Sequence, residues 1–294
     1  MKLVFKFLAL TSALFFLGSC EDVVQIKLDE GSKLYVIDAF VNNIPGKQTI
    51  KVVTNDSYFS NREAPPVIGA SVILKDLTLD KQFVFADAGN GNYEYNPTGL
   101  DTLCRIGHQY QLNVTLDGVT YTSLSTQKRT AVIDSISAEY QDGDSGFGPA
   151  QKPYYLCGLW AKDKVDNNTD YYWVKTYRND TLFSGPADIN ICIDGTGGAV
   201  TDAELDSTYF TPPATFLGFK QYYSGNTCKA EIHSISRDTY YFFVQAIAQI
   251  NNGGLFATTP ENVKTNIVTP AEAKTKAIGW FNMATVVSKK ITIP

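Results

Sequence analysis

The chain has 294 residues, with 25 lysines and arginines against 30 aspartates and glutamates, which gives a formal net charge of −5 at pH 7. Proteins that bind nucleic acid hold its phosphate backbone with clustered lysine and arginine. Neither this acidic balance nor any local run in the sequence supplies such a basic stripe, so no nucleic-acid partner is expected. The length fits one large or two ordinary domains, at about 150 residues per domain.

An export signal occupies the first 19 residues. Lys2 and Lys6 give a positively charged start, residues 7–17 form an apolar run, and Gly18 and Ser19 are small residues before a cysteine. The apolar run is shorter than the ~20 residues that a membrane-spanning helix needs. The pattern therefore predicts that the first 19 residues are a signal peptide that is removed on export.

Residues 17–20, Leu-Gly-Ser-Cys, resemble the lipobox at which bacterial lipoprotein precursors are cut. The Cys20 thiolate is the nucleophile that takes a diacylglyceryl group in such proteins, after which the new amino terminus is acylated with a chain such as palmitate. Each buried methylene contributes ~0.8 kcal/mol, so two or three acyl chains hold a protein firmly at a membrane. An ordinary signal peptide followed by a chance cysteine is the alternative.

A β-sandwich with an immunoglobulin-like or transthyretin-like fold is predicted for residues 33–128, after a polar lipidated tether at 20–32. Short β-branched and aromatic segments alternate there with turn signals, without an intervening helical pattern: 34–41, 48–53, 67–74, 82–86 and 93–95. The clearest strand pair is 109–123. In it apolar and polar residues alternate, and Asp117-Gly118 forms a two-residue turn.

A second β-rich domain with one packed helix is predicted for residues 129–294. Strands are indicated at 133–140, 154–161, 171–177, 277–281 and 285–293. The helix is expected near 236–251, because Ser236 or Asp238 can cap it and apolar residues recur at helical spacing. Residues 195–206 are rich in glycine and aspartate, which is typical of a mobile loop.

Four cysteines remain once Cys20 is committed to lipid, an even number in a chain that crosses an oxidising compartment. Three pairings are possible, and buried free thiols are a further alternative. We expect a disulfide between Cys192 and Cys228, because both lie in the second domain and flank its longest irregular stretch. Closing that loop would stabilise the fold by roughly 4 kcal/mol on the loop-closure estimate.

Few residues suggest metal binding or catalysis. His108 and His233 are far apart, and with no Gly-x-Ser-x-Gly elbow present we expect both to be surface or capping residues. The candidate calcium site is a turn with oxygen-bearing side chains: Asp163, Asp166, Asn168 and Asp170. Its spacing departs from the helix-loop-helix motif, so a plain hydrophilic turn is favoured. We therefore expect a protein that is not an enzyme and has no cofactor beyond its lipid.

Aromatic residues are abundant, with 17 Tyr, 17 Phe and 3 Trp, and most of them should form the cores. Others fall in predicted loops, where contiguous exposed rings would mark an interaction surface. These candidates are Tyr58, Phe59, Phe147, Tyr222 and Tyr223.

The order of these features resembles a family of lipoproteins described only as domain of unknown function 4249. Six segments carry the resemblance: SCED (19–22), LYVIDAFV (34–41), YFSNREAPPVIGASVILKD (58–76), SRDTYYFFVQAIAQINNGGLF (236–256), PENVKTNI (260–267) and AIGWFNMATVVSKKITI (277–293). The resemblance implies an outer-membrane lipoprotein whose neighbours are TonB-dependent receptors, the barrels that import nutrients. It implies no catalytic residues.

Together these expectations favour an outer-membrane lipoprotein that assists a TonB-dependent import barrel or captures a ligand for it. A structural or adhesive cell-surface protein without a transport role is the alternative, which the same sandwich would serve equally well. Glu21-Asp22 resembles an acidic signal that sends some lipoproteins to the cell surface, and the periplasmic face is the alternative location. The ligand, whether small molecule, glycan or peptide, is left open.

Overall fold

The computed structural model describes residues 31–57, 60, 62–98, 103–143, 152–163, 169–193, 220–252, 259 and 263–294. Residues Lys33–Asp56 and Arg62–Pro294 form one compact unit, to which all the following elements belong. The other unit, Met1–Ser32 with Ser57–Asn61, lies mostly outside the described residues. In it the Ser60 amide donates to the Ser57 carbonyl at 2.9 Å.

Within the described ranges the chain forms β-strands, one α-helix and a short 3-10 helix at Pro186–Asp188. The strands of the N-terminal half are β1 (Leu34–Asn42), β2 (Gln48–Thr54), β3 (Ser71–Asp76), β4 (Lys81–Gly89), β5 (Asn92–Tyr95), β6 (Gln109–Leu116) and β7 (Val119–Thr126). The C-terminal half contains β8 (Val132–Gln141), β9 (Tyr154–Lys162), β10 (Tyr171–Arg178), β11 (Thr181–Leu182), β12 (Asn190–Ile193), β13 (Gln221–Tyr222), β14 (Thr227–Ile235), α1 (Arg237–Ile250), β15 (Lys276–Ala284) and β16 (Val286–Thr292).

The first sheet has eight strands in the order β15-β1-β2-β5-β4-β3-β6-β7. Its strands alternate in burial because successive side chains in a strand point to opposite faces. In β6, for example, Tyr110, Leu112 and Val114 are buried, whereas the residues between them are half-buried. The inward side chains of the strands form one continuous apolar core.

Two smaller sheets enclose a second core. One contains β11-β10-β14-β16, with β12 also paired to β10, and the other has the order β13-β9-β8. Leu159 and Ala161 from the three-stranded sheet meet Val174, Ala230 and Ile232 from the five-stranded sheet in this core. The arrangement is two β-layers packed face to face.

The parallel pairing of β1 with β15 connects the two ends of this unit. It runs from Leu34 opposite Lys276 to Asn42 opposite Ala284, while β1 also pairs with β2 in the antiparallel direction. A strand from the C-terminal half thus completes the first sheet.

The predicted mainly β fold with one packed helix is confirmed, and α1 begins after the N-cap Ser236. The sequence patterns missed β11 to β14, including the nine-residue strand β14 at the centre of the five-stranded sheet. The strand signal was obscured because Glu231 and His233 in it are buried, whereas charged and polar residues usually lie at the surface. The domain boundary between residues 128 and 129 stays a prediction. The glycine- and aspartate-rich stretch 195–206 lies outside the described residues.

Gly279 allows β15 to approach β1 closely. Its φ is +118°, a region that residues with a Cβ rarely adopt, and an added Cβ would lie 2.0 Å from the carbonyl oxygen of Ile37. The obstacle is backbone, which cannot move aside without disturbing the sheet. Gly46 has a similar φ of +112°, but nothing lies within 4 Å of its Cβ position.

We predict that Gly279→Ala destabilises the protein much more than Gly46→Ala. Both changes introduce backbone strain of ~1–3 kcal/mol, but only Gly279→Ala adds a clash with Ile37. Urea denaturation should therefore give a loss in unfolding free energy at least ~2 kcal/mol larger for Gly279→Ala. Equal losses would contradict the close approach of β15 to β1.

Candidate ligand-binding cleft

A cleft of about 650 Å³ opens beside the outer face of β1. The inner face of β1 carries Ile37, Ala39 and Val41 in the first core, and the outer face carries Val36, Asp38 and Phe40. The volume falls within the ~300–1,000 Å³ usual for small-molecule sites. We refer to it as the aromatic cleft, and its main walls are formed by Asp38, Phe40, Lys51, Trp173, Lys175, Phe242, Phe243 and Trp280.

Aromatic rings from three elements form the apolar walls of the aromatic cleft. The ring of Trp173 on β10 lies 4.8 Å from that of Phe243 on α1 and 5.4 Å from that of Phe40 on β1. Phe242 stacks on Trp280 of β15 at 4.5 Å. These centroid distances are those of directly packed aromatic pairs. The walls are therefore held by mutual packing as well as by the strands that carry them.

A buried polar network fixes α1 against β15. Ser236 caps the helix by accepting from the Thr239 amide at 3.0 Å. The Thr239 hydroxyl donates to Asn282 Oδ1 at 2.9 Å and accepts from Trp280 Nε1 at 2.8 Å. Because these side chains are buried, loss of one partner would leave another polar group unsatisfied. The network thus positions both Trp280 and the first turn of α1.

Three charged side chains line the aromatic cleft. Asp38 and Lys51 lie directly opposite each other on β1 and β2, and Lys175 projects from β10. Lys175 Nζ lies 4.0 Å from the centre of the Trp173 ring, a cation–π contact. Asp38 is exposed, but desolvation beside the cleft walls raises its pKa, against the opposing effect of Lys175 and Lys51. Burial likewise lowers the pKa of Lys175, against the carboxylates of Glu231 and Asp38.

A charged cluster on β14 lies next to Trp173 and Lys175. Glu231 pairs in register with Lys175, and His233 with Trp173. Burial opposes ionisation of Glu231, but hydrogen bonds from His233, Tyr177 and Lys229 outweigh it and lower its pKa to about 2. Burial lowers the pKa of His233, although its hydrogen bond to Glu231 favours the charged form. Glu231 is thus an ionised carboxylate whose lone pairs are engaged within the protein.

The two histidines have different surroundings in the structure. His233 is 4% exposed and lies within β14, so its interpretation as a surface or capping residue is wrong. His108 Nδ1 lies 2.8 Å from Asp76 Oδ2, and Asp76 in turn accepts from the amides of Thr78 and Leu79. The two histidines therefore take part in separate polar networks. Among the described residues no group of three or more His, Cys, Asp or Glu is arranged to hold a metal ion.

The predicted disulfide between Cys192 and Cys228 is wrong in this structure. Cys192 lies opposite Tyr172 on one side of β10, whereas Cys228 lies opposite Arg178 on the other side. Six residues along a strand correspond to ~20 Å, far beyond the ~7 Å limit for the two α-carbons. Cys228 instead faces the thiol of Cys157 on β9, with which it hydrogen-bonds in the second core.

The predicted exposed aromatic residues divide into three groups. Tyr222 is fully buried in the second core and donates to the Tyr177 carbonyl at 3.3 Å, so its predicted exposure is wrong. Tyr222 on β13 pairs with Tyr155 on β9, whereas Tyr223, directly after β13, is 40% exposed. Tyr58, Phe59 and Phe147 lie outside the described residues, as does the lipidation candidate Cys20.

The two described members of the calcium candidate bind a guanidinium group. Asp163 forms an ion pair with Arg129 and accepts from the Tyr172 hydroxyl at 2.6 Å. Asp170 Oδ2 lies 2.6 Å from Nη2 of the same arginine. The other two members, Asp166 and Asn168, lie outside the described residues. Through Arg129, Asp163 at the end of β9 and Asp170 before β10 are therefore connected to the segment that precedes β8.

The aromatic cleft was not predicted from the sequence. Its residues come from strands and a helix far apart in sequence, and periodicity cannot show which faces meet. One signal was present in β1, where both alternating faces contain large apolar residues. Such a pattern suggests that both faces of the strand have neighbours. In the structure the outer face is half-buried, and Asp38 in it is exposed.

We predict that His233 makes the protein less stable as the pH falls below about 6.5. Its folded-state pKa is lowered, so between that value and the unfolded value of ~6.5 the unfolded chain binds one more proton. Glu231, whose pKa is about 2, changes its contribution only below ~4.5. Denaturation of wild type and His233→Gln between pH 5 and 6.5 measures the effect, and other groups cancel in the comparison.

The wild type should lose up to about 1.4 kcal/mol more unfolding free energy per pH unit than His233→Gln. Glutamine keeps an N–H donor for Glu231, so the variant removes the titration and retains a hydrogen bond. Parallel pH profiles for the two proteins would contradict the buried neutral state of His233.

Comparison with known proteins gives one family. No curated protein matches the chain. Among the described residues no helix is long and apolar enough to cross a membrane. The family model described as "Domain of unknown function (DUF4249)" matches residues 21–290, nearly the whole chain after the predicted signal. The chain therefore belongs to the family with this domain of unknown function.

Proposed function

We propose that this protein is a lipid-anchored capture protein of the outer membrane that binds a ligand and passes it to a TonB-dependent import barrel. The observation that carries the proposal is the aromatic cleft. It combines a volume suited to a small molecule with aromatic walls and three charged side chains. The proposed activity is binding and not catalysis.

The membrane anchor is supported by the sequence before the folded body. Residues 17–20 have the lipobox pattern, and residues 21–32 are long enough to separate the lipid from β1. A location on the cell-surface side is part of the proposal, and it is supported by the acidic residues Glu21 and Asp22.

The barrel partner is supported by the family resemblance, whose members are expected beside import barrels. The cleft adds a physical reason for such a pairing. A binding protein that is held by lipid in the plane of the membrane reaches a barrel by lateral diffusion, at a high effective concentration. Capture and delivery then need only a moderate affinity for the ligand.

We predict that a TonB-dependent barrel co-purifies with this protein from native membranes. The test uses an affinity tag after the exposed Pro294, mild detergent extraction of the outer membrane, and mass spectrometry of the eluted complex. A barrel recovered in near-stoichiometric amount is the expected result. Recovery of this protein alone, or with surface fibres and adhesins, would contradict the transport role and favour a structural protein.

The matched control is Cys20→Ala, which removes the proposed lipid attachment site and leaves the folded residues unchanged. We expect this variant in the soluble fraction, with much less barrel in the eluate, because the shared membrane no longer concentrates the two proteins. A Cys20→Ala protein that remains in carbonate-washed membranes would show that the anchor lies elsewhere.

A further inference from the structure

The charged groups of the aromatic cleft differ in their surroundings from the buried Glu231. Glu231 accepts hydrogen bonds from Tyr177, at 2.7 Å, and from Lys229, at 3.0 Å. By contrast, the described part of the chain gives no hydrogen bond or ion pair to the side chains of Asp38, Lys51 or Lys175. Asp38 and Lys51 are exposed to solvent, and Lys175 is half-buried over the Trp173 ring. The three charges are therefore accessible to a ligand that enters the cleft.

The balance of these charges is positive. Lys51 and Lys175 contribute two ammonium groups, and Asp38 contributes one carboxylate. Glu231 lies behind Lys175, but its oxygens are occupied by His233, Tyr177 and Lys229. An incoming anion therefore meets two lysines and one competing carboxylate. Charge complementarity favours an anionic ligand over a cationic one.

The aromatic walls indicate what the uncharged part of the ligand is. Trp173, Phe40 and Phe243 form one aromatic wall, and Phe242 with Trp280 forms another. Flat apolar groups pack well against such rings in offset or edge-to-face arrangements. Because Lys175 Nζ lies 4.0 Å from the centre of the Trp173 ring, an anion bound at Lys175 is next to the aromatic wall.

We propose that the aromatic cleft binds an organic anion that carries a flat apolar ring, with its acidic group at Lys175 and Lys51 and its ring on Trp173 and Phe243. This inference deepens the capture function and rests on it. Asp38 disfavours a second negative group beside it and accepts a hydrogen bond from a donor on the ligand. Thr49 and Asn92 at the rim supply further polar groups.

The test compares two probes that differ only in charge at one group, N-acetyl-L-tryptophan and N-acetyl-L-tryptophanamide. Calorimetric titration into the purified full-length lipoprotein should give one site for the carboxylate, with Kd below about 1 mM. The neutral amide should bind at least about tenfold more weakly. No binding of either probe, or equal binding of both, would overturn the proposal.

Variants locate the site. Lys175→Met should weaken the carboxylate probe at least about tenfold and reduce its advantage over the amide. Asp38→Asn should tighten the carboxylate probe, because a competing negative charge is removed. Lys75→Met is the matched control, since Lys75 forms its ion pair with Asp80 on the far part of the first sheet. Its affinities should equal those of the wild type.

Thermal unfolding of each variant checks that the fold is intact. If Lys175→Met does not fold, Lys51→Met on the solvent-accessible part of the cleft tests the same charge effect. Unchanged carboxylate affinity in folded Lys175→Met or Lys51→Met, or weaker binding in Asp38→Asn, would overturn the assignment. The titrations are carried out without the barrel. If the probe does not bind but the barrel still co-purifies with the protein, the proposed ligand is wrong and the proposed partner is not affected.

Discussion

The parallel pairing of β1 with β15 is the constraint on which the first core and the aromatic cleft depend. Nine consecutive residues of β1 pair with nine residues of β15, from strands separated by more than 200 positions in the chain. Strand alternation then gives β1 two different faces. Ile37, Ala39 and Val41 complete the first core, and Val36, Asp38 and Phe40 face the cleft.

The same pairing places the helix. Trp280 and Asn282 follow Gly279 in β15, and both hydrogen-bond to groups at the start of α1. The helix can therefore present Phe243 to Trp173 only while β15 stays in register with β1. A shift of one residue in this register would turn Trp280 to the opposite face of the sheet. The cleft thus results from the pairing of β15 with β1 at the end of the first sheet.

Charged side chains that stabilise the fold have partners inside the protein, unlike those to which we assign a binding role. The Arg129 guanidinium contacts Asp163 and Asp170 and connects separate segments of the second half. Glu231 is similarly enclosed by hydrogen-bond donors. These groups compensate one another within the fold, as buried charges must. Asp38 and Lys175 instead line the cleft without a hydrogen bond or ion pair from another described residue, and that difference supports a binding role for the cleft.

Local patterns predicted much of the fold. The alternation of Tyr110, Leu112 and Val114 and the turn at Asp117-Gly118 predicted β6 and β7, and a capping serine predicted the start of α1. Local patterns were misleading where a residue finds its partner only in the folded structure. His233 was expected at the surface or in a cap, but it is buried, and its Nε2 lies 3.1 Å from Glu231 Oε2 inside the protein.

The cysteine prediction failed for a related reason. The positions of Cys192 and Cys228 around an irregular stretch contain no information on strand register, and β10 separates the two residues. Likewise, no sequence period reveals that β1, β10 and α1 meet. Their outer residues are far apart in the chain, and the cleft exists only after both halves have folded.

A crystal structure of the full-length protein with N-acetyl-L-tryptophan would show where this probe binds. We expect the carboxylate within ~4 Å of Lys175 Nζ, the distance of a direct ion pair, and the indole ring in contact with Trp173 or Phe243. Electron density for the probe elsewhere on the protein, with the aromatic cleft occupied only by solvent, would contradict this expectation.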